Sequence, residues 1–311
     1  MGGDLLGVDS AFTETIAASD EIVGPRLGWT CAAMIERADS EILATIVGLQ
    51  TMLFTVEVGL AAMWRARGLR CDAVAGTSLG EIAAAHVAGI LTLDEALSIV
   101  LARSQLLESI GPEGGTVVIN VDASESASLL DGLGGSAWIS GFNGPGTTSF
   151  SGLDPALEEL IRRGQELGVY TARVRIQYPA HSPLLMPLAE PLRTAIAGLQ
   201  PRAGHTPFYS ALTAGVVAGQ DLTPDYWVRN LIDPVRGNDL LGALLHDQFD
   251  VIVEVTPHPI FAKPTNDAIA AHGSTTRHVA TLRRSQPAGD MIAAAVAAIG
   301  QGGFAGGKEH R

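Results

Sequence analysis

Cysteine is almost absent from this chain: there are two residues in 311, Cys31 and Cys71. Neither belongs to a CxxC or Cys/His pattern, which excludes a disulfide framework, leaves no metal site to predict and fits a reducing cytoplasm. Charge is also scarce at 17%, and positive charge scarcer still, with 20 Lys and Arg against 33 Asp and Glu and a net charge of −13. Non-specific binding to nucleic acid is therefore a poor default, and an anionic partner would need a local basic patch. Apolar runs are broken by acids or glycines before the roughly 18 residues a membrane span needs, so no membrane contact is expected. The opening MGGDLLGVDS lacks the basic start and apolar run of an export signal. Apolar residues, by contrast, make up 47% of the chain, enough for a large core in one domain or in a domain with an insert, and too many for a disordered chain.

Residues 10 to 110 read as helical, with apolar residues at 3.6 spacing in Leu49 to Arg65 and in Leu93 to Leu107. One short strand interrupts them at Asp72 to Gly76, followed by a tight turn and the helix-forming EIAAAHVAG. From about 115 to 177 the pattern changes to TVVINV, SASLLDG, SAWISGFN, TTSFSG, ALEELIRRGQELG and YTARVRI. That order is βαββαβ, the ferredoxin-like arrangement, with two amphipathic helices. A helix is expected over LLMPLAEPLRTAIAGL, and strands over Thr206 to Leu212 and Val251 to Val255. The alternation of strands with helices predicts an α/β fold with a mostly parallel sheet in the larger body. The expected division is a body of residues 1–114 and 178–300, a small inserted subdomain of 115–177, and a frayed tail of 301–311.

The sharpest local signal is Gly76-Thr77-Ser78-Leu79-Gly80, a GxSxG at a strand-to-helix junction. Such an elbow lifts the serine hydroxyl clear at a helix N-terminus, and glycines on both sides are expected because a Cβ there would clash. The Leu79 amide and the helix dipole then face a developing oxyanion. A serine nucleophile needs a base, and eight histidines are available. His86 lies on the helix that starts at the serine, and His310 in the tail. His181, in Tyr178-Pro179-Ala180-His181-Ser182-Pro183, and His258, in Thr256-Pro257-His258-Pro259, remain as rivals.

The stretch GTSLGEIAAAHVAGILTLDEAL resembles the nucleophile region of malonyl-CoA:acyl carrier protein transacylases and polyketide synthase acyltransferase domains, whose motif is GHSxGE. YPAHS resembles their histidine motif, and YWVRNLIDPVR with VIVEVTPHPIF their downstream signatures, all in the right order over residues 1 to about 284. The resemblance implies a larger α/β-hydrolase-like domain with an inserted ferredoxin-like subdomain, a Ser78–His181 dyad, and Leu79 as an oxyanion donor. It also implies that a backbone carbonyl near Thr256 to Pro259 orients the imidazole. Arg103 would hold a substrate carboxylate, a task a planar guanidinium suits. Gln50 and Asn143 match polar positions lining the family's cleft, and Tyr178 matches a position that varies with the acyl group. The implied reaction moves a malonyl or alkylmalonyl group from coenzyme A onto the phosphopantetheine of an acyl carrier protein through a Ser-linked ester, with no further cofactor. Carrier docking is expected at Arg65, Arg67 and Arg70 or at Arg229 and Arg236.

Two departures stand out. The family pattern has a strand and a GQGSQ loop ahead of the segment that MGGDLL resembles, and that loop supplies a second oxyanion amide. Thr77 stands where the family has histidine. Three other readings stay open: an acyltransferase passing aminoacyl or dipeptidyl groups between carrier proteins; an α/β-type serine hydrolase using Ser78 with Asp247 or Asp250 and His258 or His272; and an inactive interaction module.

Overall fold

A computed structural model describes residues 2–37, 39–111, 114–174 and 178–300. The expected tail of 301–311, and Arg175 and Ile176 of the YTARVRI run, lie outside the described residues.

The first hundred residues form α1 (Ser10–Leu27), α2 (Cys31–Arg37) and α3 (Ile46–Ala66), then β1 (Val74–Gly76), α4 (Leu79–Val87) and α5 (Leu93–Ser109). Asp9 caps α1 by accepting from the Phe12 amide, and Thr92 with Glu95 forms a capping box on α5. Helix α3 is the spine of the body. Its buried Phe54, Val58 and Leu60 face a core that includes Phe12 and Ile16 of α1. At Gly59 a Cβ would stand 2.8 Å from the Phe12 ring, so the glycine lets the two helices close together. The sequence reading is corrected at α3: its 21 residues are long and apolar enough to cross a bilayer. Twelve of them are buried, which makes α3 a core helix rather than a lipid-facing one.

The inserted unit is β2 (Gly115–Ile119), α6 (Ala123–Ser126), β3 (Ala137–Gly144), β4 (Thr147–Gly152), α7 (Asp154–Glu166) and β5 (Thr171–Arg173). Its antiparallel sheet runs β3-β4-β2-β5 and has its own core around Val117, Phe150, Leu157 and Leu160. The expected first amphipathic helix shrinks to the four residues of α6 and one 3-10 turn. There the Ser126 and Ser128 hydroxyls hydrogen-bond carbonyls three residues back, and Gly132, Gly134 and Gly135, all at positive φ, end the run.

The chain then gives α8 (Ala189–Ala195), β6 (Phe208–Ser210), β7 (Gly215–Val217), α9 (Pro224–Ile232), α10 (Gly237–His246), β8 (Val251–Glu254), α11 (Ala262–Ala271), β9 (Arg277–Ala280) and α12 (Ala288–Ile299). The helix expected from 183 begins instead as a 3-10 segment, Pro183–Leu188, because Pro187 lacks the amide an α-helix needs there.

The larger body has no single parallel sheet among the described residues. β1 pairs parallel with β6, β6 antiparallel with β7, and β8 parallel with β9 in a separate pair. Alternating strands and helices predict parallel crossovers but not which strands become neighbours. The ladders show which edges stay open. The Val74 amide donates to Pro207, so Val74 and Gly76 face β6 and Ala75 faces away. The carbonyls of Asp250 and Glu254 accept from Arg277 and Thr281, so Val251 and Val253 face away from β9. Both free edges look into one cleft of about 4560 Å³, which also reaches the turn after β1.

The two glycines of the elbow prove unequal. A Cβ on Gly76 would stand 2.4 Å from the Gly80 backbone, whereas one on Gly80 would meet nothing within 4 Å. The expectation of a clash on both sides is corrected: only the first glycine is sterically required. Gly76→Ala should lower the melting temperature, by an amount matching about 1–3 kcal/mol of overpacking. Gly80→Ala, inside α4, should leave it unchanged or raise it. Parallel thermal melts of the two variants check both outcomes.

Candidate active site

Ser78 follows β1 as the N-cap of α4 with φ 51° and ψ −116°, and His181 in the Tyr178–Pro183 loop has φ 52°. Left-handed backbone at a serine and a histidine is unfavourable and persists only where the surroundings impose it. At Ser78, Gly76 allows the turn to close on Gly80, and the Gly80 amide donates to the Thr77 carbonyl at 2.9 Å. At His181, the neighbouring Ser182 hydroxyl donates to the Pro179 carbonyl at 2.7 Å.

These two turns bring Ser78 Oγ within 2.9 Å of His181 Nε2, from positions 103 residues apart. His181 Nδ1 lies 3.0 Å from the Asp233 carbonyl oxygen. A carbonyl only accepts, so Nδ1 carries the hydrogen and Nε2 presents its lone pair to the serine hydroxyl. Here the sequence reading is corrected: the orienting carbonyl belongs to Asp233, at the C-terminal cap of α9, and not to Thr256 to Pro259. The loop containing Thr256 is occupied otherwise, with the Thr256 hydroxyl donating to the His258 carbonyl and His258 Nδ1 accepting from the Arg284 amide. Burial, with the nearby Arg103 charge, pushes the His181 imidazole down to about 4, and the Asp233 carbonyl opposes that only in part. The ring is therefore neutral at pH 7 and able to take a proton.

Arg103 projects from the inner face of α5, 2% exposed. Its Nη2 donates to Ser78 Oγ at 3.3 Å and its Nη1 to Asn230 Oδ1 at 3.2 Å, while its Nε is buried without a partner. Gln50 of α3 donates from Nε2 to the Tyr178 hydroxyl at 3.1 Å, and Gln50 Oε1 is likewise buried and unpartnered. The Leu79 amide, first in α4, has no acceptor among the described residues and points from the positive end of the helix. Ser78, Leu79, Arg103, Tyr178, Gln50 and His181 thus share one cleft. Asn143 lines the same cleft from β3 but joins none of the hydrogen bonds that connect the others. The arrangement can deprotonate the serine, stabilise negative charge beside it and receive an anionic group at Arg103.

Five residues of the site went unassigned in the sequence: Glu81, Ser210, Tyr226, Asn230 and Asp233. Glu81, in the first turn of α4, is fully buried and accepts from the Ala211 and Leu212 amides at 2.9 and 3.1 Å and from the Tyr226 hydroxyl. Burial raises its carboxyl to about 7 in spite of these donors. Tyr226 and Asn230 are four apart on α9, and Asp233 follows as its extended C-terminal cap. The spacing of Tyr226 and Asn230 within YWVRNLIDPVR is the signal that could have placed those two on one face, whereas Asp233 contributes a backbone carbonyl that no spacing marks. The hydrolase candidates do not assemble: the Asp247 carboxylate takes the Tyr209 hydroxyl, and His272 Nδ1 turns to the Ala268 carbonyl. Of the arginines read as docking candidates, Arg67, Arg229 and Arg236 pair with Asp9, Asp233 and Asp239. Arg65 and Arg70 form no salt bridge among the described residues.

The chain is similar over most of its length to a small part of much longer polyketide synthase proteins. It is 33% identical over 301 residues to the spectinabilin polyketide synthase system protein NorA' of Streptomyces orinoci, covering 96% of this chain and 8% of that protein. A loading acyltransferase from the avermectin modular polyketide synthase superposes with a TM-score of 0.89 at 30% identity, over 96% of this chain and 95% of that one. The acyltransferase domain of SpnD, in complex with 2-(pent-4-yn-1-yl)malonyl, gives 0.86 at 27% identity over 95% and 71%. With the acyl transferase domain model matching residues 1–305, this α/β chain belongs to the acyl transferase domain family.

Proposed function

We propose that this chain loads a malonyl-type acyl group from a coenzyme A thioester onto an acyl carrier protein in polyketide biosynthesis. One observation carries the reading: a guanidinium, buried and short of one partner, sits 3.3 Å from the serine oxygen that the neutral imidazole contacts at 2.9 Å. A carboxylate held at Arg103 would present a carbonyl one carbon away to Ser78, as in malonate. The malonyl derivative in the SpnD complex is of this type.

In the first half-reaction the Ser78 proton passes to His181 Nε2 while Oγ bonds to the thioester carbon, with charge on the former carbonyl oxygen facing the Leu79 amide. The C–S bond then breaks and the leaving thiolate takes the proton from His181. In the second half, the carrier's pantetheine thiol gives its proton to His181 and attacks the ester, and Ser78 leaves with that proton restored. Every step is redox-neutral and every proton is held on His181, so the reading calls for no cofactor beyond the substrates' own pantetheine. Coenzyme A thioesters are cytoplasmic metabolites, which makes the cytoplasm the compartment this reading implies. Arg103 disfavours the aminoacyl alternative, because a cationic acyl group would approach a buried cation.

Intact-mass spectrometry of protein exposed to malonyl-, methylmalonyl- and uncharged acyl-coenzyme A tests the reading. Dicarboxylic thioesters should leave an adduct that transfers to carrier protein, and Ser78→Ala should abolish it. Release of free acid with no carrier product would reassign the chain to hydrolysis. Arg103→Ala should reduce loading of dicarboxylic thioesters by about 10-fold to 100-fold and spare the uncharged ones. The loading rate should stay flat from neutral pH down to about 5 and fall only as pH approaches 4, where His181 takes a proton. A midpoint near 6.5, the ordinary histidine value, would show that the imidazole is not shielded as described.

A further inference from the structure

We infer that Asn230 is a positioning residue that fixes which edge of Arg103 faces the substrate and ties that edge to the nucleophile. The inference rests on the proposed function and names a residue for it.

Asn230 is 3% exposed on the inward face of α9. Its Oδ1 accepts from Arg103 Nη1 at 3.2 Å, and its Nδ2 donates to the Ser78 carbonyl at 3.3 Å. The orientation of the amide follows from its partners: a guanidinium can only donate and a carbonyl can only accept, so a flipped amide would lose both bonds. Once Nη1 is engaged by Asn230, Nη2 points at Ser78 Oγ and Nε is buried and unpartnered, with the Tyr178 hydroxyl beside the same guanidinium. Nε and Nη2 form one side of the planar guanidinium, a fork that matches the two oxygens of a carboxylate. Asn230 therefore leaves free the edge nearest the serine and holds the more distant nitrogen.

The second bond acts on the nucleophile. Ser78 holds a left-handed backbone two residues past a strand that, among the described residues, pairs only with β6. The Asn230 amide, on α9, donates to its carbonyl. The neighbouring contacts on the same helix point to the same role: Tyr226 contacts Glu81 in the first turn of α4, and the Asp233 carbonyl orients His181. Nucleophile, base and charge anchor are thus all referenced to α9, and the Asn230 side chain touches two of them, Arg103 and the Ser78 carbonyl. A carboxylate bound side-on at Arg103 is set at a fixed distance from Ser78 Oγ through a single amide group.

The test separates binding from chemistry. In a Ser78→Ala background, which binds without turnover, calorimetry compares malonyl- and propionyl-N-acetylcysteamine thioesters. The malonyl compound should bind more tightly, and adding Asn230→Ala should weaken it by on the order of tenfold while leaving the propionyl compound unchanged. Asn230→Asp, which keeps the shape but sets an acid beside Arg103, should remove the preference altogether and carries the test if Asn230→Ala fails to fold. Equal weakening of both thioesters, an unchanged preference in either variant, or no preference in Ser78→Ala protein itself would overturn the inference. If the preference behaves as expected but the unaltered chain transfers no acyl group to carrier protein, the inference stands and the proposed function falls.

Discussion

The contact on which the site depends is the 2.9 Å approach of Ser78 Oγ to a neutral His181. It requires two residues in left-handed backbone, one imidazole tautomer and a low proton affinity, and each has a separate cause. The turn geometry comes from Gly76, whose missing Cβ leaves room for Gly80. The tautomer comes from the Asp233 carbonyl, and the low affinity from burial beside a cation. The family's polar cleft is therefore less a list of reactive groups than a set of constraints converging on one oxygen.

Much of this was legible in the chain. The GxSxG junction, the helices on either side of it and the βαββαβ insert follow from glycine placement and from hydrophobic period, both local properties. Ser78, Leu79, Arg103, Gln50, Tyr178 and His181 meet in one cleft as the motif resemblance implied. What the sequence did not show is contact between elements far apart in the chain. A backbone carbonyl has no side-chain signature, so Asp233 could not be told from Thr256 as the partner of His181. The pairing of β1, β6, β8 and β9 was hidden for the same reason, since strand neighbours depend on how crossovers stack rather than on any one strand's composition. The shortening of α6 was a miss of a different kind, because its serines and the glycines after it were visible and outweigh the apolar spacing of SASLLDG.

Burial shapes the electrostatics more than net charge does. The chain carries −13 overall, and yet a buried arginine lines its cleft and a buried glutamate, its carboxyl raised to about 7, packs beneath the nucleophile turn. Excess acid on the surface and a cation at the centre are compatible because most surface pairs are exposed and weakly coupled to the interior. The field that an acyl group meets at Ser78 is set within a few ångströms, by Arg103 and the N-terminal end of α4.

The left-handed serine and histidine have a cost in folding stability. Each side chain sits where a glycine would rest more easily, at roughly 1–3 kcal/mol apiece, against a total folding stability on the order of 5–15 kcal/mol. The candidate site is thus a place where the fold gives up resilience for a fixed geometry, and the surrounding helices must be steadier than a strain-free scaffold would need to be.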